Sequence, residues 1–362
     1  SGMDTKRNRR IPHSTLMMME ATATPKKESY FYLSALTVLS ALAVVMLHFN
    51  GIFWQHKQEI WLSSCLIEAL FYFAVPVFFM ISGCTLIDYK KRYSTPTFFV
   101  KRMHRTLIPF LLWSLISLVS MWNYDSTLDL HPWSVVCGIM KQEYMPIYWF
   151  FMPLFAIYLC MPVLADMEHK VKTFSYMALL GCITIGIFSM LRNNGLPAFN
   201  QALEAPLCGG FLVYPLLGYV LHHKELSKKA RGWLYAGGLL CFAAHFISMY
   251  WFSPAQGGIC GVFKNYLYIT TIIQACAVFV FFRYHADTIA RCKWIKRAVL
   301  FAQPATLGIY LSHMYVHYTL TATVCDATSV LYRTLGAVTV FILLTCGIRL
   351  LQKFRFLRYL FP

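Results

Sequence analysis

Blocks of continuously apolar sequence constrain this chain more than any other feature. Ten blocks approach or exceed the length that a helix needs to cross a bilayer. They span residues 30–52, 63–87, 106–122, 147–165, 173–190, 207–222, 232–253, 262–282, 303–323 and 331–350. Only 13% of the 362 residues are charged, too few for a soluble protein of this length. Because apolar residues run through the blocks without alternating, the sequence predicts an all-α, polytopic membrane helix bundle of ten transmembrane helices.

Basic residues are unevenly distributed between the segments that join these blocks. If the amino terminus is cytoplasmic, the inner segments hold 27 of the 32 Lys and Arg residues. The outer loops hold the other five, which are Lys57, Lys141, Arg192, Lys264 and Arg333. Cytoplasmic segments attract Lys and Arg, so both termini are predicted to be cytoplasmic. The net charge of +17 is thereby explained without a nucleic-acid partner, and anionic lipid or an anionic cofactor is an additional candidate partner.

The chain is expected to form one folded domain. Residues 1–29 are polar, basic and without periodicity, which predicts a tag remnant followed by a disordered cytoplasmic tail. Residues 30–362 are predicted to be the ten-helix transmembrane domain, with a short interfacial helix at 131–140 in its longest outer loop. Twelve cysteines are scattered singly without a C-x-x-C pair, so neither a metal site nor a structural disulfide is predicted.

Ionisable side chains inside apolar blocks are costly and therefore mark candidate functional positions. Those in this chain are His48, Glu68, His245, His313 and His317. His48 lies eighteen residues after Tyr30, a helical rise of about 27 Å, so it is expected deep on the outer side. Thr37 lies eleven residues before His48 and shares its small, polar helix face. An interfacial histidine anchored by lipid headgroups explains the same residue pattern equally well.

Glu68 is the carboxylate among these groups and lies near the outer end of the second block. It is a candidate to orient His48 or to tune its proton affinity. A side chain that snorkels to water is the simpler interpretation, and we favour it. For His245 and His317, packing in the core or at the interface is likewise the simpler interpretation.

A basic run precedes the third block on the predicted inner side. Arg102 and Arg105 are three residues apart, which places them on one helix face beside Lys101. Two guanidinium groups on one face suit a phosphate group. Ordinary cytoplasmic flanking charge is the alternative interpretation.

Six sequence strings follow one another in an order that resembles the acyltransferase-3 family of membrane-bound acyltransferases. They are Val44–His48, Phe73–Gly83, Lys101–Pro109, Tyr148–Phe151 with the later Pro162, Tyr214–Tyr219 and Leu307–His313. No single string is specific, but together they extend across the chain from about residue 30 to 360.

The resemblance implies an O-acetyltransferase that takes acetyl groups from cytosolic acetyl-CoA and transfers them to a hydroxyl of an extracytoplasmic glycan or related acceptor. It implies His48 as general base or acyl carrier, and Arg102 and Arg105, with Lys101, as contacts of CoA. Residues that would line the channel or contact substrate are Thr37, Ser82, Tyr148, Trp149 and His313, and the last four could equally serve helix packing. The expected location is the bacterial cytoplasmic membrane.

One position departs from the family pattern. Members usually carry Arg or Lys eleven residues before the first-helix histidine, and this chain has Thr37 there. Either another basic residue supplies that charge, or the chain handles its donor or acceptor differently.

A non-catalytic transporter or flippase of glycan precursors is the alternative function. It is disfavoured because the predicted interior holds one carboxylate and no chain of ionisable groups for ion coupling.

Overall fold

The computed structural model describes residues 30–196, 200–203, 209–253 and 258–362. Throughout these ranges the regular secondary structure is helical, which confirms the predicted helical membrane bundle. The predicted disordered tail lies outside the described residues. Eight helical segments in the described ranges are long and apolar enough to cross a membrane. They are Phe31–Gln55, Gln58–Lys91, Thr95–Tyr124, Pro146–Asp166, Lys170–Asn193, Lys228–Phe252, Ile269–Ala290 and Tyr332–Leu351.

The α-helices are numbered in chain order. They are α1 (Phe31–Phe49), α2 (Trp61–Phe71), α3 (Ala74–Leu86), α4 (Thr95–Arg102), α5 (Ile108–Tyr124), α6 (Pro132–Met140), α7 (Phe151–Asp166), α8 (Lys170–Gly181), α9 (Ser189–Asn193), α10 (Val213–His223), α11 (Lys228–Ile247), α12 (Ile269–Ala290), α13 (Lys293–Ala302), α14 (Thr306–Thr323) and α15 (Ala337–Leu351). Helix α6 corresponds to the short helix predicted in the outer loop.

Two of the ten predicted spans are helical but do not meet the same length and apolarity criterion. Helix α10 is only 11 residues long, too short to span the hydrocarbon core. Helix α14 has 18 residues but carries His313, His317 and several threonines, which lower its apolarity. The cytoplasmic location of the termini stays a prediction.

The second predicted span is two helices rather than one. Helices α2 and α3 meet at Tyr72 and Phe73, although the apolar sequence continues without interruption. Pro76 has no amide hydrogen, so the carbonyl of Tyr72 loses its helical partner four residues later. The helical hydrogen-bond pattern resumes with the bond from Val77 N to Phe73 O at 3.1 Å.

The eighth predicted span is displaced along the sequence. Helix α12 begins at Ile269 rather than near residue 262. The preceding residues form a turn in which Asn265 O accepts a 2.8 Å hydrogen bond from the Thr271 hydroxyl. The helix then continues past residue 282. Arg283 donates 2.6 Å hydrogen bonds to the carbonyls of Leu221 and Lys224, so its charged group has partners within the protein.

Helix α1 is central in the bundle, where it packs against α3, α12, α14 and α15. Helices α3 and α10 make an especially close contact through two glycines. A Cβ atom on Gly83 would lie 2.0 Å from the carbonyl oxygen of Pro215, and one on Gly218 would lie 2.1 Å from that of Met80. Small residues thus let the two backbones touch, as is common between membrane helices.

The Gly83→Ala substitution is expected to destabilise the protein by about 1–3 kcal/mol, because the added methyl group overlaps backbone atoms that cannot rotate away. The melting temperature of the purified protein in detergent measures this effect. Gly347→Ala is the matched control, since nothing lies within 4 Å of its Cβ position. Equal melting temperatures for Gly83→Ala and the wild type would contradict the close contact.

Candidate active site

Two histidines from different helices meet near the end of α1. His48 lies in the last turn of α1, and His313 lies fully buried in α14. Nδ1 of His48 is 2.6 Å from Nε2 of His313. The ring planes are within 8° of parallel and the centroids are 4.9 Å apart, so the two rings meet edge to edge through this hydrogen bond. The structure therefore directs His48 against α14 rather than outward into lipid.

The hydrogen bonds of His313 determine the proton positions in the pair. Its Nδ1 lies 2.9 Å from the carbonyl oxygen of Ile309, which can only accept, so Nδ1 of His313 carries the proton. In the neutral ring Nε2 is then an acceptor, and Nδ1 of His48 must donate to it. His48 is left with an unprotonated Nε2. This nitrogen has the lone pair that a general base or a nucleophile requires.

The other two histidines have structural partners. His317, one turn after His313, bonds the hydroxyl of Tyr332 at 2.9 Å. His245 is fully buried in α11 and lies 3.2 Å from the Thr270 hydroxyl. Both observations agree with the interpretation of these residues as packing residues.

Glu68 is buried rather than extended to water, contrary to the interpretation favoured from sequence. Its side chain is 7% exposed and forms a 3.0 Å ion pair with Lys264, which is 5% exposed. The second carboxylate oxygen lies 3.5 Å from the amide nitrogen of Asn50. The rings of Trp54 and Tyr72 also surround the Lys264 ammonium group, at 4.7 and 4.3 Å from their centroids. Glu68 thus has Lys264 and Asn50 as partners, whereas the partner of His48 is His313.

Arg333 is fully buried, which corrects its predicted place in an outer loop. Its guanidinium group donates 2.8 Å hydrogen bonds to Asn50 Oδ1 and to the hydroxyls of Ser63 and Ser64. Asn50 is two residues after His48, and its amide also donates to the Ser64 carbonyl at 3.0 Å. Arg333 therefore fixes the end of α1 that carries His48. The sequence did not reveal this, because a cation at the edge of an apolar block has the same pattern as a loop residue.

A basic cavity lies at the start of α14. Its volume is about 600 Å³, and within the described ranges four arginines line it. Its lining residues are Arg102, Arg105, Thr106, Gln303, Pro304, Thr306, Leu307, Arg349, Gln352, Arg358, Phe361 and Pro362. Lys101, the third predicted CoA contact, lies instead over the ring of Tyr93, with its Nζ 4.0 Å from the centroid. Arg349 and Arg358 were not predicted as cavity residues, because cations at the end of an apolar block are also typical of ordinary cytoplasmic flanking charge.

The cavity and the histidine pair share one face of α14. Thr306 lines the cavity, and His313 follows it by seven residues, close to two full helical turns. The rise between them is about 10 Å. Helix α14 therefore connects an arginine-rich cavity to the histidine pair over a short distance.

One known protein family matches most of this chain. A family model described as "Acyltransferase domain" matches residues 30–349. The chain belongs to the acyltransferase-3 family. No curated protein and no solved structure matches it.

Of two further residues predicted from the family strings, one contacts the helix that carries His313. Tyr148 is buried, and its hydroxyl donates a 2.7 Å hydrogen bond to the carbonyl of Leu311, two residues before His313. Trp149 stacks on Tyr266 with centroids 5.4 Å apart. Tyr148 thus positions α14 in this acyltransferase, and Trp149 contributes to an aromatic cluster.

The two predicted hydroxyl residues bond within their own helices. Thr37 donates to the carbonyl of Leu33 at 2.7 Å, and Ser82 donates to that of Phe78 at 3.1 Å. Thr37 therefore replaces the usual cation of the acyltransferase family with a hydroxyl that is satisfied by the backbone. Ser82 precedes the glycine that contacts α10.

Replacing Arg333 with methionine should lower the stability of this acyltransferase by about 1–3 kcal/mol, because Asn50 and two serines lose a buried donor. Thermal unfolding in detergent measures the loss. Lys57→Met is the matched control, since Lys57 is an exposed cation in the loop that follows α1. A melting temperature of Arg333→Met as high as that of the control would show that the guanidinium does not hold this end of α1.

Proposed function

We propose that this protein is an O-acetyltransferase that transfers an acetyl group from acetyl-CoA, bound on the cytoplasmic side, to a hydroxyl of an extracytoplasmic glycan or related acceptor. One observation carries the proposal. The histidine pair, with its free Nε2 on His48, lies on the same face of α14 as the arginine-lined cavity. The family assignment supplies the class of reaction.

The chemistry of the cavity supports an acyl-CoA donor. The nucleotide end of CoA carries a diphosphate and a 3′-phosphate, and guanidinium groups bind phosphates through paired hydrogen bonds. Arg102 and Arg105 come from the segment before α5, whereas Arg349 and Arg358 come from the carboxyl-terminal part of the chain. The last two supply positive charge that Thr37 does not, so they are our candidates for the missing family cation.

The distance along α14 supports delivery of the thioester to His48. With the nucleotide in the cavity, the flexible pantetheine arm has about 10 Å of helix to follow from Thr306 to His313. Polar groups along such a route would be tolerated within the hydrocarbon region where protein encloses them. The acceptor hydroxyl would then approach from the opposite side of the membrane.

In the first of two routes, His48 is a general base. Its Nε2 takes the proton of the acceptor hydroxyl as that oxygen attacks the thioester carbonyl carbon. The carbon–sulfur bond then breaks, and the CoA thiolate receives the proton from His48. His313 keeps accepting the Nδ1 proton throughout, so it orients the ring and stabilises the transient imidazolium.

In the second route, His48 is the acyl carrier. Its Nε2 attacks the thioester carbonyl carbon, the carbon–sulfur bond breaks, and CoA leaves as the thiolate. The acceptor hydroxyl then attacks the acetyl carbon, the carbon–nitrogen bond breaks to restore neutral His48, and the hydroxyl proton passes to water. Both routes need the same lone pair, but only the second predicts ping-pong kinetics. Glu68 takes part in neither, because its ion pair with Lys264 supports the fold around α1.

Thiol release from acetyl-CoA tests the role of the pair. With protein in membranes that contain the acceptor glycans, His48→Ala should lower the rate by a factor of about 10²–10⁴, the usual contribution of a general base. His313→Ala should cause a smaller loss, and His313→Gln should recover part of it, because a glutamine oxygen can accept the Nδ1 proton of His48.

His285→Ala is the control for this experiment, since His285 is a partly buried histidine at the far end of α12 whose Nδ1 bonds the Phe281 carbonyl of its own helix. A correctly folded His48→Ala protein that releases thiol at the wild-type rate would exclude the mechanism. If the wild type itself releases no thiol, the transport alternative gains support.

Equilibrium binding of CoA tests the cavity. The Arg102→Ala/Arg105→Ala double variant is expected to bind CoA at least tenfold more weakly, because a hydrogen bond to a charged group contributes about 1.5–3 kcal/mol. Its affinity should also depend less on salt concentration. Lys101→Ala is the matched control, a neighbouring cation outside the cavity, and should bind CoA like the wild type. Unchanged affinity in the double variant would remove CoA from this cavity.

A further inference from the structure

Helix α13 has a basic side and an apolar side. Lys293, Lys296 and Arg297 are spaced by three and four residues, so they cluster on one part of the helix surface. The bulky apolar residues Trp294, Ile295 and Phe301 lie around the remaining circumference, and Leu300 lies among the cations. A helix with clustered cations and exposed aromatic residues beside them is typical of segments that lie in a membrane interface.

Neither side of α13 is covered by the described part of the protein. Trp294 is 77% exposed, Phe301 is 47% exposed and Ile295 is 46% exposed, and the three cations are exposed as well. The buried residue of the helix is Ala302, at its last position. Apolar side chains that are so exposed in a membrane protein indicate contact with lipid. Three cations within ten residues, however, exclude a position of this helix in the hydrocarbon core. The interface between tails and headgroups satisfies both sides.

The position of α13 places it at the end of the bundle that holds the arginine cavity. Its chain continues directly into Gln303 and Pro304, which line that cavity. The guanidinium carbon of Arg349 lies 5.5 Å from the centroid of Phe301. The charge distribution of the sequence predicts that this end faces the cytoplasm, where the leaflet carries anionic phospholipids.

We infer that α13 is a docking surface for anionic phospholipid headgroups. Trp294, Ile295 and Phe301 insert among the upper parts of the acyl chains, and Lys293, Lys296 and Arg297 contact the headgroup phosphates and their anionic substituents. A cation close to an anionic membrane surface strengthens binding roughly fivefold. This surface adjoins the arginine cavity through the contact of Phe301 with Arg349, but lipid binding by α13 does not depend on acyl transfer.

Hydrogen exchange of the full-length protein in lipid nanodiscs tests the inference. Backbone amides of residues 294–302 should exchange about tenfold more slowly in discs that contain phosphatidylglycerol than in discs of phosphatidylcholine alone. In the K293Q/K296Q/R297Q variant, the rates in the two kinds of disc should become equal. Each variant is checked for folding by its melting temperature.

The K224Q/K228Q/K229Q variant is the matched control, because it removes three exposed cations from the loop after α10 and the first turn of α11. It should keep the difference between the two lipids. Equal exchange of wild-type α13 in both kinds of disc would overturn the inference, as would loss of the difference in the control variant. A soluble acidic protein as the occupant of α13 predicts the first of these results.

Discussion

The chemistry of this site depends on a chain of hydrogen bonds that starts at a backbone carbonyl. Ile309 O accepts the Nδ1 proton of His313, so Nε2 of that ring must accept from His48. Each neutral imidazole has one donor and one acceptor, which leaves no freedom in the pair. The lone pair on His48 Nε2 therefore follows from the helical geometry of α14 and from its packing against α1. A shift between these helices would break the pair and release both rings.

Buried charge secures the same end of α1 from the other side. Arg333 binds Asn50 and the serines at the start of α2, while Glu68 pairs with Lys264 and approaches Asn50. Such groups are costly in a membrane protein unless each finds a partner within the protein. Because Asn50 joins Arg333 to Glu68 just beyond His48, the energetic requirements of the fold and the placement of the reactive ring depend on the same residues.

The sequence was sufficient to predict functional residues that a single position or a short string identifies. His48 was found because an ionisable side chain interrupts an apolar block, and His313 was found through a family string. The partner of Glu68 could not be found, because Lys264 is distant in sequence and was counted as loop charge. Arg333 and Arg349 lie near the ends of an apolar block, where a buried cation and a flanking cation have the same pattern. The proton positions in the histidine pair depend on contacts between helices, which no local pattern encodes.

Helix α14 is the most instructive difference between the predicted and observed membrane helices. It fails the apolarity criterion for a span, and the polar residues responsible include His313 of the candidate site. Pairing His48 with a second neutral ring, instead of a carboxylate, leaves this part of the interior without net charge at rest. A buried ion pair would carry a desolvation penalty in every resting molecule. In the general-base route proposed above, with His313 as partner, positive charge on His48 would arise only when the acceptor proton is taken, at the moment when negative charge develops on the thioester oxygen. The two charges stabilise each other, so the low polarity of the surroundings favours the transition state over separated ions.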